Sequence, residues 1–167
     1  EAYNNLVLMY ARQGRAGDAI AQYRKALELN PALAEAHDNL GVALVMLGRA
    51  DEAIASYQHA IRLNPNAALF HSNLGAALYA MGRAPEASAR FTEALRLNPR
   101  LAPAHLGLAL ALTAQGRLAD AVPHFEENAR LQPGSDSAHQ YLGLALAGAG
   151  RFEDAIAQLE AALRINP

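Results

Sequence analysis

Proline recurs at a fixed interval along this 167-residue chain. Successive prolines of the series are 34 residues apart, and a glycine series keeps the same interval. A fixed period of this length indicates a repeat architecture in which every unit is one supersecondary element and buries its apolar face against its neighbours. The two series are Pro31, Pro65, Pro99, Pro133 and Pro167, and Gly14, Gly48, Gly82, Gly116 and Gly150.

Each unit has the pattern of two amphipathic helices. In residues 34–67 the packing residues follow the i, i+3, i+4, i+7 spacing of one helix face, and a second stripe follows Gly48. Glycine suits a helix C-cap, and Pro65 stops the second helix because proline disfavours helical geometry in the residue before it. We therefore expect a helical hairpin. The stripes are His37, Leu40, Gly41 and Leu44, then Ala53, Tyr57, Ala60 and Ile61.

These residues resemble the tetratricopeptide repeat (TPR), with its pattern W-x2-L-G-x2-Y, A-x3-F and P. The resemblance covers the whole chain. Histidine or Tyr3 replaces the leading tryptophan, Val7 and Ala109 replace the glycine, and Leu159 replaces the last aromatic residue. The resemblance to the TPR implies an all-α fold: a right-handed superhelical α-solenoid of five helix-turn-helix repeats with a concave groove. We expect a single TPR array over residues 1–167, with repeats 1–33, 34–67, 68–101, 102–135 and 136–167.

Composition argues against several classes of partner. The chain has 14 basic and 16 acidic residues, a net charge of -2 and no cysteine. The basic residues are scattered, so we expect no nucleic acid partner. No apolar run is long enough to cross a bilayer, so we expect no membrane insertion. A cytoplasmic location is predicted, with a periplasmic one as the alternative, and we expect no cofactor.

Repeating histidines and acids are the only candidates for catalysis or metal binding. The histidines replace a bulky packing residue, and adjacent units are too far apart to share an ion. The acids follow each repeating arginine by three residues, where a helix dipole favours them. We therefore expect no catalytic residue, no metal site and no enzyme activity, and we place His59 and His124 on the surface. The histidine series is His37, His71, His105 and His139.

A peptide-binding groove is the remaining candidate site. Projection of each first helix places one group of residues off the packing stripe, on the predicted concave face. That projection also includes Asp38 and Ala76. The candidate residues are Asn5, Arg12, Asn39, Val42, Asn73, Tyr79, Leu106, Gly107, Leu110, Tyr141 and Leu144.

The asparagines of this set recur at the repeat interval, and an amide can donate to and accept from a peptide backbone. Within His-x-Asn-Leu-Gly, the series resembles the TPR region of O-linked N-acetylglucosamine transferases, which implies contacts to the backbone of extended substrates. Gly107 and Tyr141 break the series. Farther along, Tyr79, Leu106, Leu110, Tyr141 and Leu144 are predicted to form an apolar depression around Gly107 that takes a hydrophobic anchor.

Unit four and the chain ends depart from the regular pattern. Pro123 lies within a second helix and Asn128 replaces an alanine, so we expect a local kink or looser packing. The last helix carries Ile156, Leu159 and Leu163 without a covering helix. We expect an excised piece of a longer protein, with self-association through exposed terminal helices as a secondary expectation.

The predicted function is a non-catalytic protein-interaction scaffold that binds a peptide or partner segment in its concave groove. Two alternatives remain open. One is the substrate-recruiting arm of a larger enzyme such as an O-linked N-acetylglucosamine transferase. The other is a self-assembling scaffold. The nearly lysine-free, arginine-rich composition favours a bacterial source.

Overall fold

The structure is a computed structural model that describes residues 16–166. Within these residues the chain forms nine α-helices and no strand. The helices are α1 (Ala16–Leu29), α2 (Ala34–Met46), α3 (Ala50–Leu63), α4 (Ala68–Ala80), α5 (Ala84–Leu97), α6 (Ala102–Ala114), α7 (Leu118–Leu131), α8 (Asp136–Gly148) and α9 (Phe152–Ile165). The first helices of the units are α2, α4, α6 and α8, and the second helices are α1, α3, α5, α7 and α9.

A glycine in the left-handed conformation closes each described first helix. At the end of α4 the amide of Gly82 donates to the carbonyl of Tyr79 at 2.9 Å, and the amide of Arg83 donates to that of Leu78 at 3.0 Å. The φ angle of Gly82 is +75°, which costs other residues about 1–2 kcal/mol. The glycine series therefore marks the turn within each hairpin. Gly48, Gly116 and Gly150 have φ angles of +71°, +75° and +78°.

The repeating arginine and acid form an ion pair at the start of the second helices α3, α5, α7 and α9. Arg83 precedes α5, and its Nε and Nη2 donate to the two carboxylate oxygens of Glu86, both at 2.7 Å. This bond lowers the pKa of Glu86. Both side chains are exposed, so the pair contributes little to stability but holds the acid beside the helix N-terminus.

Aromatic rings of the second helices α3 and α5 pack against the bare backbone of first helices. A Cβ on Gly75 of α4 would lie 3.0 Å from the ring of Phe91, and a Cβ on Gly107 of α6 would lie 2.3 Å from it. The ring of Phe91 on α5 therefore lies between its own unit and the next. Tyr57 packs on Gly41 in the same way, because a Cβ there would lie 2.6 Å from the Tyr57 ring.

The array curves with its first helices inside. Adjacent first helices contact each other, α2 with α4 and α4 with α6, whereas no comparable packing joins adjacent second helices within residues 16–166. Fully buried alanines at repeating positions, such as Ala53 and Ala87, let the helices approach closely. The result is the predicted right-handed superhelical solenoid, with the first helices on its concave face.

Unit four is closely packed on its inner side and borders a cleft on its outer side. Helix α7 continues through Pro123, whose side chain is exposed. On its inner side Asn128 is 1% exposed, and its Oδ1 accepts a hydrogen bond from Gln132 Nε2 at 3.0 Å. Looser packing is thus absent around Asn128. On the outer side a cleft of about 670 Å³ runs past Pro123 and His124, between α5 and α7.

Substitution of Gly82 tests the turn. Gly82→Ala places a side chain in the left-handed region, so we expect it to lower the free energy of unfolding by about 1–2 kcal/mol. Gly17→Ala is the matched control, because Gly17 has no positive φ and an added Cβ meets no atom within 4 Å. Urea unfolding followed by circular dichroism measures both variants. Equal midpoints for the two variants would contradict the assignment.

Candidate functional site

The described candidate residues lie on the four first helices at the concave face. Asn5 and Arg12 lie outside the described residues. Of the others, Asn39 is buried, most are half-buried, and Tyr141 and Leu144 are exposed at 39% and 65%. The placements are Asn39 and Val42 on α2, Asn73 and Tyr79 on α4, Leu106, Gly107 and Leu110 on α6, and Tyr141 and Leu144 on α8.

The position of the asparagine series, which we call the series position, faces the aromatic residue of the preceding unit. Tyr141 stacks on Phe125 with ring centroids 6.1 Å apart and planes 14° apart. Asn39 lines a cavity together with Tyr23 of α1. At Gly107 the ring of Phe91 occupies the space that a side chain would take. The residue at the series position therefore depends on the ring behind it.

This packing changes the interpretation of Gly107. Its small size was expected to leave a depression for a ligand, but the edge of Phe91 already fills that space. Leu144 also belongs to a different surface, because it lines a hollow of about 400 Å³ with Leu159 and Leu163 of α9. The predicted depression is therefore not one pit centred on Gly107.

Asn73 is bound to a buried carboxylate. Its Nδ2 donates to both oxygens of Asp38, at 3.0 and 3.1 Å, and so joins α4 to α2 across the concave face. Asp38 is 3% exposed, and this burial raises its pKa to about 6 even though the bond from Asn73 opposes the shift. Burial and the nearby Asp38 also raise the pKa of Tyr57. The donor of Asn73 is thus already used within the array.

Sequence reasoning placed Asp38 on the concave face but missed this bond. Asp38 and Asn73 are 35 residues apart, one more than the period, so they are near neighbours on adjacent first helices. The sequence signal for this bond is a carboxylate one residue before the series position of one unit, together with an amide at the series position of the next unit. With Asn39 buried and Asn73 bonded to Asp38, neither described asparagine presents a free, exposed amide.

Partly exposed apolar side chains remain on the middle first helices. Tyr79 of α4 and Leu106 and Leu110 of α6 pack against the main core while each stays partly exposed. Val42 of α2 does the same. The four described first helices contain no lysine or arginine. This part of the concave face therefore combines apolar contact area with no positive charge.

The repeating histidines tie successive units together. In each described unit the histidine Nε2 donates to the carbonyl oxygen of the series proline six residues earlier, at distances from 2.9 to 3.2 Å. A carbonyl only accepts, so Nε2 carries a proton in all four rings. The recurring His–Pro separation of six was the sequence signal for this bond.

The surroundings of the second ring nitrogen differ from unit to unit. His37 stacks on the exposed His59, whereas His105 Nδ1 lies 3.1 Å from the Nδ1 of His124. His124 is half-buried, so its predicted surface position was wrong: it packs against the first helix of its own unit. Residues 16–166 hold no group of three or more His, Cys, Asp or Glu side chains placed to bind a metal ion.

Known protein families match this chain through the same repeat. The sequence matches the TPR repeat family over residues 8–48 and 43–82, and two further tetratricopeptide repeat families over residues 72–136 and 112–167. The chain belongs to the tetratricopeptide repeat family. No curated protein sequence matches it. None of the helices in residues 16–166 is long and apolar enough to cross a membrane.

Solved TPR structures superpose on this TPR array over nearly its whole length. A crystal structure of MamA is 27% identical with a TM-score of 0.82, and the match covers 94% of this chain and 92% of MamA. PilF of Pseudomonas aeruginosa is 27% identical with a TM-score of 0.89, covering 99% of this chain and 76% of PilF. YrrB is 25% identical with a TM-score of 0.74, covering 99% and 85%.

Restoring the asparagine series at Gly107 tests the packing of the series position. Gly107→Asn places a Cβ 2.3 Å from the ring of Phe91, so we expect a loss of about 1–3 kcal/mol in the free energy of unfolding. The control is Gly134→Asn, because an added Cβ there meets nothing within 4 Å. Chemical denaturation checks both. Full stability of Gly107→Asn would show that the ring does not control this position.

Asp38 predicts a pH dependence of stability. Its pKa rises from 3.8 to about 6 on folding, so between about pH 4 and pH 6 the folded chain keeps a proton that the unfolded chain releases. Stability therefore falls as the pH rises through this window, by as much as about 3 kcal/mol. Asp38→Asn should remove this contribution, and Asn73→Ala should raise the Asp38 pKa further. Urea unfolding of the wild type and of Asp38→Asn, measured between about pH 4 and pH 6, gives the difference in their free energies of unfolding as a function of pH. A flat curve contradicts the prediction.

Proposed function

We propose that this TPR array is a non-catalytic interaction module that binds an apolar peptide segment of a partner protein on its concave face. The observation that carries the proposal is the surface formed by Tyr79, Leu106 and Leu110. These side chains are anchored in the core and still partly exposed, on first helices that carry no cation. Apolar area held on rigid elements favours binding because little side-chain freedom is lost.

The charge of the surface defines the partner. An acidic tail needs lysine or arginine, and α2, α4, α6 and α8 contain neither. Apart from Arg100 in the loop before α6, the described arginines lie on or directly before the second helices, and several are held by ion pairs such as Arg83 with Glu86. The partner segment is therefore apolar rather than acidic. A solved relative supports peptide binding in this fold, since YrrB is described as a TPR protein with an unusual peptide-binding site.

Aromatic side chains on this face are not equivalent as binding residues. Tyr141 stacks on Phe125, so its removal would also change the packing between units four and five. Among residues 16–166 no such ring stack is found for Tyr79, which lies on α4 one turn after the exposed Ala76. Tyr79 and Ala76 are therefore the cleaner positions for a test of peptide binding.

A library of random linear peptides displayed on phage tests the proposal. Peptides selected on the wild-type array should bind the Tyr79→Ala variant at least about tenfold more weakly than they bind the wild type. The reason is that a buried aromatic anchor contributes more than about 1.4 kcal/mol to binding. Ala76→Arg should weaken them equally by placing a charge in the apolar surface. Isothermal titration with synthetic copies of the selected peptides gives the affinities.

Ala55→Arg is the matched control, because Ala55 is also exposed but lies on the second helix α3. Its affinities should equal those of the wild type. Peptides that bind both concave-face variants as tightly as the wild type, or that are lost with Ala55→Arg instead, would place the binding surface elsewhere and overturn the proposal.

A further inference from the structure

Unit four brings two histidine nitrogens together on its outer side. The Nδ1 of His105 on α6 and the Nδ1 of His124 on α7 are 3.1 Å apart, and the rings are tilted by 35° with centroids 5.4 Å apart. Imidazole nitrogens lie about 2.1 Å from a bound transition metal, so two in adjacent coordination positions are about 3.0 Å apart at a right angle and about 3.4 Å apart at the tetrahedral angle. The observed separation falls between these values.

His105 is held in the tautomer that metal binding requires. Its Nε2 donates to the carbonyl oxygen of Pro99 at 3.0 Å, so in the neutral ring Nδ1 carries the lone pair. A backbone carbonyl on the second nitrogen is the usual support of a histidine ligand, since it fixes both tautomer and ring orientation. His105 is therefore preorganised, with its free nitrogen directed at His124.

His124 completes the pair from the exposed side. It borders the cleft between α5 and α7, which gives water access to the remaining coordination positions. In the metal-free pair, a proton on His124 Nδ1 is shared with His105. Metal binding requires that proton to move to Nε2 of His124, which frees the lone pair on its Nδ1.

We propose that His105 and His124 form a binding site for a divalent late transition-metal ion, with water in the remaining coordination positions. Imidazole ligands without thiolates suit Ni²⁺, Cu²⁺ and Zn²⁺. Asp120 lies one turn before His124, but its carboxylate is bound by Arg117. The site thus has two protein ligands.

The other described units provide the comparison. In unit five the same two positions hold His139 and Gln158, and the Nδ1 of His139 lies 2.8 Å from Gln158 Oε1. The 19-residue spacing and the packing are those of unit four, with an amide in place of the second imidazole. In unit two, His37 and His59 stack face to face at 5.2 Å. Stacked rings do not direct two lone pairs at one ion.

Titration of the untagged chain with Ni²⁺ by isothermal calorimetry at neutral pH tests the proposal. We expect one saturable site in the wild type. His124→Gln copies the arrangement of unit five and should weaken binding at least about tenfold. Gln158→His copies unit four and should add a second site. His59→Gln should change nothing. Circular dichroism checks that each variant is folded.

The absence of saturable binding in the wild type would overturn the proposal, as would unchanged affinity in folded His124→Gln. If His124→Gln fails to fold, Gln158→His decides. A second bound Ni²⁺ supports the paired-histidine site, and an unchanged stoichiometry overturns it. Loss of binding in His59→Gln would assign the ion to unit two and would also refute the proposal.

Discussion

The contact on which the array depends is a ring pressed against bare backbone. Phe91 lies between Gly75 of its own unit and Gly107 of the next, so one side chain joins the two helices of a hairpin and also joins successive hairpins. Because the ring of Phe91 leaves no room for a Cβ at Gly107, α6 must carry glycine at this position. The buried alanines between the helices then follow, since helices held this closely cannot accommodate larger residues. The spacing of first helices, and with it the curvature of the concave face, follows from this contact.

The same contact controls the composition of the concave face from behind. Tyr141 can occupy the series position because it stacks on Phe125, whereas Phe91 leaves room for no side chain at Gly107. Packing between units therefore partly determines the residues at the series position, although in the sequence they resemble a ligand-binding series. The partly exposed Tyr79 and Leu110 are better candidates for recognition, because they contact the core without being enclosed by it.

The fold was predictable from the sequence because its decisive signals are local and repeated. Glycine at the turn and proline at the end of each unit act on their own backbone, and five copies of the pattern leave no ambiguity about helix or strand. Side-chain partners were harder to predict. The bond between Asp38 and Asn73 joins two units, and helical periodicity within one unit carries no information about it. Asn128 and His124 were misjudged for the same reason, since burial depends on which helix lies opposite. The period itself contains part of the missing information, because residues separated by one period, or one residue more, are neighbours on adjacent helices.

The histidine series shows how a fixed framework leaves room for variation. One ring nitrogen is committed in every described unit, because the carbonyl of the preceding proline needs a donor where the chain enters the next first helix. The other nitrogen is not fixed by the fold. In unit three the Nδ1 of His71 is buried, and no described residue forms a hydrogen bond with it. In unit five the Nδ1 of His139 lies against Gln158, and in unit four the Nδ1 of His105 lies against the imidazole of His124. A substitution opposite this nitrogen therefore changes local chemistry without disturbing the bond that holds the units together. Because the stability of a solenoid is approximately a sum over its units and their neighbouring contacts, a unit can carry a different group at this position while its interfaces stay intact.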